Sequence, residues 1–556
     1  MPSTRATGRG SFYLPGLFLS LGALLSTVCQ AGAAPALNGL LRLETGSALQ
    51  IEVLRDDYQF AENPAYRVNY LPPFAFLYVQ SENSLIPVRR GSIPGNHPSW
   101  EYMLEPGQIW QDESNPGLRS ASLPFTLREY NADCMHNGIL SFSIDGENSV
   151  SEAQISITSE TCMYFKFNIR GSLPASFETG ELPQAATIIE QFKDQQRARL
   201  IRKPIAALAS KYKSVELSAF TGAGNVPEDD ISTFGFVIDD VHYRGKCQTR
   251  GPNYRFCDDI NLPSYSLAKT LMAGLAAMRL EKLYPGSSNA FIGDYVPQCR
   301  KHGNWSDVTF SQALNMLTGN YGSVDGRSDE GSVATDQQFF FKSTHADKVA
   351  YSCNAWPRSA PPGSQWVYHT TDTYILGSAM NALLREKQGA DADIYTNLVL
   401  PLWKDLNLSP AIAVIRRTYD EDRQPFAGFG ISLTPDNIAR LATALNRGSF
   451  ADQLDRHMFN SAMGRLPEPQ GSFPADDKYY YSNGFWAYNA QTLLGCKVPV
   501  MVPFMSGYGG INVVMMPNDT VYYIFSDSGK FAFTDVIVQS HKIRSMCPTI
   551  KTTRNT

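Results

Sequence analysis

Ser266-Leu267-Ala268-Lys269 puts a hydroxyl and an amine three positions apart at the head of an unusually apolar run, LAKTLMAGLAAMRL over residues 267–280. At that spacing on a helix the two side chains share a face. Lys269 is the only charge in the run before Arg279. Such a run predicts a helix buried on nearly every side, and a buried ammonium is costly unless it is paired or gives up its proton. An amine pushed towards neutrality beside a hydroxyl is the base that a serine nucleophile needs. The serine would also stand at the positive end of the helix dipole, where backbone N–H groups favour an oxyanion. A second Ser-x-x-Lys, Ser210 with Lys213, falls in a charged segment that reads as a solvated helix, so spacing alone does not carry chemistry.

The elements that must position this pair divide into three stretches. Residues 34–185 carry short alternating segments (41–52, 75–80, 138–144, 153–157, 162–169) separated by Pro, Gly and Asn clusters, which predicts a small all-β domain of the sandwich or jelly-roll kind. Its aromatic residues, among them Tyr58, Tyr66, Trp100 and Trp110, read first as core. A charged helical linker follows over 186–213. From 214 to 556, strands at 233–239 and 241–244 precede a helix-rich region, in which 309–317, 372–385 and 436–446 have apolar helical spacing and starting caps. Strands return at 497–505, 512–516 and 521–525, ahead of a closing helix at 535–546. The order strands, helices, strands predicts an α+β architecture in which both ends of 214–556 share one sheet with helices beside it.

Composition bounds the partners. The chain of 556 residues has a formal charge of −5, which gives no electrostatic footprint for nucleic acid. Arg5 and Arg9, an apolar stretch over 12–28 and Ala31-Gly32-Ala33 form an export signal with an A-x-A cleavage site, so residues 1–33 read as a signal peptide and the mature protein as periplasmic or secreted. No later segment approaches the ~20 apolar residues that span a bilayer. Nine cysteines leave an even set once Cys29 departs with the signal, which points to disulfides. Sequence proximity favours Cys134–Cys162, Cys247–Cys257, Cys299–Cys353 and Cys496–Cys547, although eight cysteines allow about 105 pairings. The eight histidines show no metal-ligand spacing, so neither a metal nor a cofactor is expected.

Four further segments follow Ser266 in a telling order. They are Trp305 to Gly319 (WSDVTFSQALNMLTG), Pro362 to Thr370 (PGSQWVYHT) continuing to Leu376-Gly377, Gly428 to Asp436 (GFGISLTPD), and Met505-Ser506-Gly507-Tyr508-Gly509-Gly510. Together with Ser266 and Lys269 they resemble the penicillin-recognising serine hydrolases over residues 205–550. The resemblance is to the branch holding class C β-lactamases, family VIII carboxylesterases and 6-aminohexanoate-dimer hydrolases. It implies an αβ sandwich, an antiparallel sheet flanked by helices with a helical region inserted. It also implies hydrolysis through an acyl-enzyme on Ser266, with Lys269 and Tyr368 as the acid/base pair. The backbone N–H groups of Ser266 and Tyr508 would form the oxyanion hole, and Thr370, Met505, Ser506 and Gly507 would line the substrate.

Tyr351, in Tyr-Ser-Cys-Asn354, is a rival to Tyr368 that lacks the surrounding PG…LG frame. Two positions depart from the pattern. Thr370 stands where the family carries Asn or Ser, and Met505 where β-lactamases and DD-peptidases carry the lysine of K-T-G. A thioether cannot pair with a substrate carboxylate as that lysine does, so a small-molecule ester or amide without one is the expected substrate. A DD-peptidase or β-lactamase is the alternative within the class. A binding protein on a degenerate hydrolase fold is the alternative outside it.

Overall fold

Alternation of apolar and polar residues builds the first sheet. In the strand Ala153–Thr161, Ala153, Ile155 and Ile157 are buried while Gln154 is exposed, the period of two that one buried face requires. Eleven antiparallel strands between Gly39 and Thr179 pair into a single sheet. Leu41, Phe74, Trp100, Leu123, Phe142, Ile155 and Phe167, from strands far apart in the sheet order, meet in one core. The sheet therefore folds over its own apolar face, in keeping with the expected all-β domain. Two expected strands break in the middle. Residues 41–52 yield Gly39–Leu43 and a strand from Ile51 to Asp56, and 162–169 yields a turn before Phe167–Leu173.

The computed structural model describes residues 36–46, 51–247, 254–301, 303–325, 327–466, 471 and 478–548. The expected signal peptide and Cys29 lie outside them. From Ala36 onward the chain forms one compact unit. Among the described residues no helix is long and apolar enough to cross a membrane.

The second sheet has eight strands and obeys a different pattern, because both of its faces are covered. Its order is Ile201–Pro204, Val241–Arg244, Ile231–Ile238, Thr520–Ser526, Ile511–Met516, Met501–Gly507, Phe485–Asn489 and Tyr479–Ser482. Every residue of Ile231–Ile238, Ile511–Met516 and Thr520–Ser526 is buried. Successive side chains enter opposite cores: Val513, Met515 and Tyr523 join one, while Val514, Met516 and Tyr522 join the other. Helix Thr534–Ile543 packs on the second face through Val536 and Ile537. The first face takes the helical region, including Leu275–Leu283, Thr370–Gln388 and Pro435–Arg447. Strands from before and after that region share the sheet, as the order of elements predicts. The stretch 186–213 departs from a purely helical linker, since its Ile201–Pro204 pairs in parallel with Val241–Arg244.

Local chemistry sets the ends of these elements. Thr309 caps Phe310–Leu314 in a reciprocal capping box with Gln312, and Thr434 caps Pro435–Arg447 with proline at its first position. Asn483 and Gly484, at φ 52° and 82°, make the two-residue turn that joins Tyr479–Ser482 to Phe485–Asn489.

The first sheet is tied to the rest of the fold by ion pairs, most of them buried. Lys166 of the first pairs with Asp527, at 2.8 Å, and with Asp230, at 3.3 Å, beside the second. Glu101 pairs with Arg416 at 3.2 Å and accepts from the Tyr419 hydroxyl.

Four disulfides link Cys134–Cys162, Cys247–Cys257, Cys299–Cys353 and Cys496–Cys547. Peptide mapping of the unreduced mature protein is expected to recover these four cross-links. Any other pairing would contradict the packing described.

Candidate active site

The nucleophile candidate sits on a strained turn. Leu262–Pro263 pairs with Ser432–Leu433, and Ser264 exchanges hydrogen bonds with Ile431 through its N–H and its hydroxyl. Tyr265 then takes φ of 40°, left-handed backbone that a bulky residue adopts only when its surroundings impose it. Asp133, from the turn between the first-sheet strands Leu118–Glu129 and Met135–Asp145, imposes it here. Its Oδ2 accepts from the Tyr265 N–H at 2.8 Å and from the Gly430 N–H at 3.3 Å, and its Oδ1 accepts from Arg128 at 2.7 Å. Both members of that ion pair are fully buried. The chain leaves this turn with Ser266 at the mouth of the helix, whose next residues are π-helical over Lys269–Gly274 before settling into Leu275–Leu283. Such wider turns occur often at functional sites.

Three side chains converge on the serine. The Tyr368 hydroxyl donates to Ser266 Oγ at 2.7 Å, and Lys269 Nζ lies 3.1 Å from the same oxygen. Lys269 Nζ also donates to Thr370 Oγ1 at 2.7 Å and lies 4.7 Å from the centre of the Tyr368 ring. The amine is almost wholly removed from solvent, and burial brings its pKa down to about 8 against the opposing pull of Glu330 and Asp372. About a tenth is therefore free amine at pH 7, far more than an exposed lysine offers. Burial acts on Tyr368 in the other direction: with Glu330 adding to it, the phenol pKa lies far above its usual value. Tyr368 thus stays protonated and donates, which leaves Lys269 as the candidate base of the pair.

Tyr368 is set by an aromatic cluster, its ring 6.1 Å from Trp366 and 6.4 Å from Trp486. Gly428 closes over the other side. A β-carbon there would meet the Thr370 methyl at 2.8 Å and come within 3.7 Å of Lys269 Nζ.

The remaining candidates fall in distinct places. Tyr351 bonds to Thr335 through its hydroxyl and packs against Trp356, and Ser210 is exposed with its hydroxyl turned to its own helix. Met505 is fully buried in the core that the second sheet shares with the helical region, where it offers no surface to a substrate, and the partly exposed Ser506 is the more accessible of the two. Gly507 passes close to the nucleophile turn, since a β-carbon on it would stand 3.0 Å from the Ser264 carbonyl oxygen. Tyr508 lies just beyond the strand Met501–Gly507, half exposed, its ring 5.7 Å from that of Tyr265.

Two residues of this site have no signal in the sequence. Asp133 lies 132 residues before Tyr265. Glu330 accepts from the Thr370 N–H at 2.8 Å and from the Thr370 hydroxyl. Neither belongs to the motif order of the resemblance, and a left-handed tyrosine leaves no compositional trace.

Residues 262–531 match the Beta-lactamase family model. No curated protein matches the chain. Similar solved structures include a D-stereospecific amidohydrolase from Streptomyces sp., 12% identical over 58% of this chain and 97% of that one, with a TM-score of 0.42. A class C β-lactamase in complex with cefoxitin is 13% identical over 63% of this chain and 99% of its own, with a TM-score of 0.41. A penicillin-binding protein from Bacillus halodurans is 13% identical over 60% of this chain and 99% of its own, with a TM-score of 0.39.

Two measurements check this geometry. Asp133→Ala leaves Arg128 buried without its partner, and it is expected to cost about 3–5 kcal/mol of stability, read from the denaturation midpoint. Lys269 is an ammonium below about pH 8 and an amine above it. The rate at which a fluorophosphonate modifies Ser266 should therefore rise with pH through about 8 and level off above; a flat rate from pH 6 to 10 would exclude Lys269 as the base.

Proposed function

We propose that this chain, whose residues 262–531 belong to the Beta-lactamase family, is an exported serine hydrolase that cleaves an ester or small amide through an acyl-enzyme on Ser266. The observation that carries the reading is the convergence of Tyr368 and Lys269 on one oxygen, at 2.7 and 3.1 Å. Ser266 Oγ attacks the substrate carbonyl carbon while its proton passes to Lys269. The carbonyl oxygen becomes an oxyanion held by the N–H groups of Ser266 and Tyr508, each such donor being typically worth ~3 kcal/mol. Tyr368 gives its proton to the departing oxygen or nitrogen and is reprotonated from the Lys269 ammonium. Water then attacks the acyl-enzyme and surrenders a proton to the same pair, which returns it to Ser266.

The substrate class rests on the missing cation of the third motif, where this chain has a buried methionine. With a thioether in place of the cation of K-T-G, the strand Met501–Gly507 brings no charge from that position to meet a carboxylate. Esters and small amides fit this better than penicillins or peptides ending in D-Ala-D-Ala. The four disulfides support an oxidising compartment, in keeping with the export signal read at residues 1–33.

Intact-mass labelling with a fluorophosphonate is expected to add one adduct at Ser266. Ser266→Ala should lose the adduct and lower p-nitrophenyl butyrate turnover on the order of 10³-fold or more. Benzylpenicillin and D-Ala-D-Ala peptides should turn over far more slowly than the ester, and the reverse preference would favour the DD-peptidase or β-lactamase alternative. A folded protein that takes no adduct would be a binding protein.

A further inference from the structure

The hydrogen bonds around Ser266 continue past Lys269. Thr370 Oγ1 accepts from Lys269 Nζ at 2.7 Å, and its own proton goes to Glu330. The second oxygen of the Glu330 carboxylate accepts from the Thr370 N–H at 2.8 Å, in the first turn of helix Thr370–Gln388. The carboxylate thus grips one residue at two points and fixes the direction of its hydroxyl. A threonine whose proton is committed to a carboxylate can only accept from the amine. An N–H of Lys269 is drawn to Thr370, and its lone pair is left facing Ser266. With the amine neutral, the donors run one way: Tyr368 hydroxyl to Ser266 Oγ, Ser266 hydroxyl to Lys269 Nζ, Lys269 to Thr370, Thr370 to Glu330.

We propose that Glu330 is a positioning residue of the hydrolytic centre: through Thr370 it orients Lys269 as the base for Ser266, and it stabilises the ammonium that Lys269 becomes when the serine proton arrives. The inference rests on Ser266 and Lys269 acting as nucleophile and base. It also accounts for threonine at position 370. A hydroxyl both accepts from the lysine and donates to a carboxylate, so one residue links the two charges. No proton leaves the centre by this route; the charge on Glu330 lowers the cost of holding the proton on Lys269 until Tyr368 needs it.

The ionisable groups around the amine are few. Glu330 and Asp372 act on it electrostatically, and the Tyr368 ring lies beside it. Asp372 is fully buried and is engaged by Thr318 at 3.0 Å and by His369 at 3.5 Å. The Gly428 loop and the Asn483-Gly484 turn approach the lysine with uncharged backbone. Glu330 itself faces Thr370, Lys269, Tyr368, His369 and the exposed Asp336. Of these, Thr370 is the one that joins it to the base by hydrogen bonds.

The test is the pH profile of p-nitrophenyl butyrate hydrolysis by the full-length mature protein and its Glu330→Gln, Glu330→Asp and Asp336→Asn variants. Removing the charge lowers the pKa of Lys269, so in Glu330→Gln the acidic limb of kcat/KM moves about one pH unit downward. The base is then weaker and its ammonium less supported, so kcat falls about tenfold while KM stays within about twofold. Glu330→Asp keeps the charge and returns the limb towards its original place. Asp336→Asn, which removes a carboxylate that does not bond to Thr370, leaves both limb and rate as they are.

Melting temperature, and labelling of Ser266 at pH 9, establish that each variant is folded. A Glu330→Gln profile that overlays the parent's, or a shift that Asp336→Asn reproduces, overturns the inference while leaving the nucleophile intact. Turnover that survives Ser266→Ala overturns the underlying hydrolase reading instead.

Discussion

An amine withdrawn from water is the constraint around which the helical region is organised. Lys269 cannot be held in an apolar helix as a fully hydrated ammonium, so it must find partners or lose its proton. The structure does part of each. Burial weakens its hold on the proton, while Glu330 and Asp372 keep that weakening moderate. Everything nearby is shaped to permit this balance: glycine at 428 so that the loop can close, an Asn-Gly turn whose Gly484 comes close to the Lys269 backbone, and a threonine that carries a hydrogen bond onward. The widened helical turn over Lys269–Gly274 belongs to the same adjustment.

The first sheet is coupled to this centre, so it is more than an appendage. Its Asp133 sets the backbone of the residue before Ser266, and its Arg128 both pairs with Asp133 and donates to the Gly430 carbonyl at 2.9 Å. Arg416 with Glu101, and Lys166 with Asp527, tie other edges of this part of the chain to the residues beyond 214. Buried ion pairs contribute little net stability compared with apolar contacts of the same volume, yet breaking one is costly. An interface built from them favours one relative placement of the two sheets over its neighbours.

That Ser266, Lys269 and Tyr368 come together was legible in one-dimensional terms: fixed spacing, an apolar run with a single charge, and a frame of glycines and prolines around the tyrosine. The two-faced sheet could be read from apolar runs at both ends of 214–556, and sequence proximity anticipated all four cysteine pairs. Long-range polar contacts were not legible. Asp133 and Glu330 are ordinary acidic residues in turns or short helical segments, and only the fold brings them within reach of Tyr265 and Thr370. The turn after Thr161 was hidden for the opposite reason, since Cys-Met-Tyr-Phe has every local property of a strand and tertiary contacts override it. Met505 shows a third limit: its place in the motif order was plain, but its burial depends on which face of the strand meets the helices.

The bond between Asp133 and Tyr265 closes a segment of 132 residues. A contact of that separation closes against a loss of chain entropy that local contacts do not face. The sheet that carries Asp133 closes round a core of its own, to which no residue of the Ser266 helix contributes. It serves as a template on which the turn at Tyr265 is set. The convergence of Tyr368 and Lys269 on Ser266 is in this way a property of the completed fold, and a chain whose two sheets have not met carries Ser266 as an ordinary helix-terminal serine.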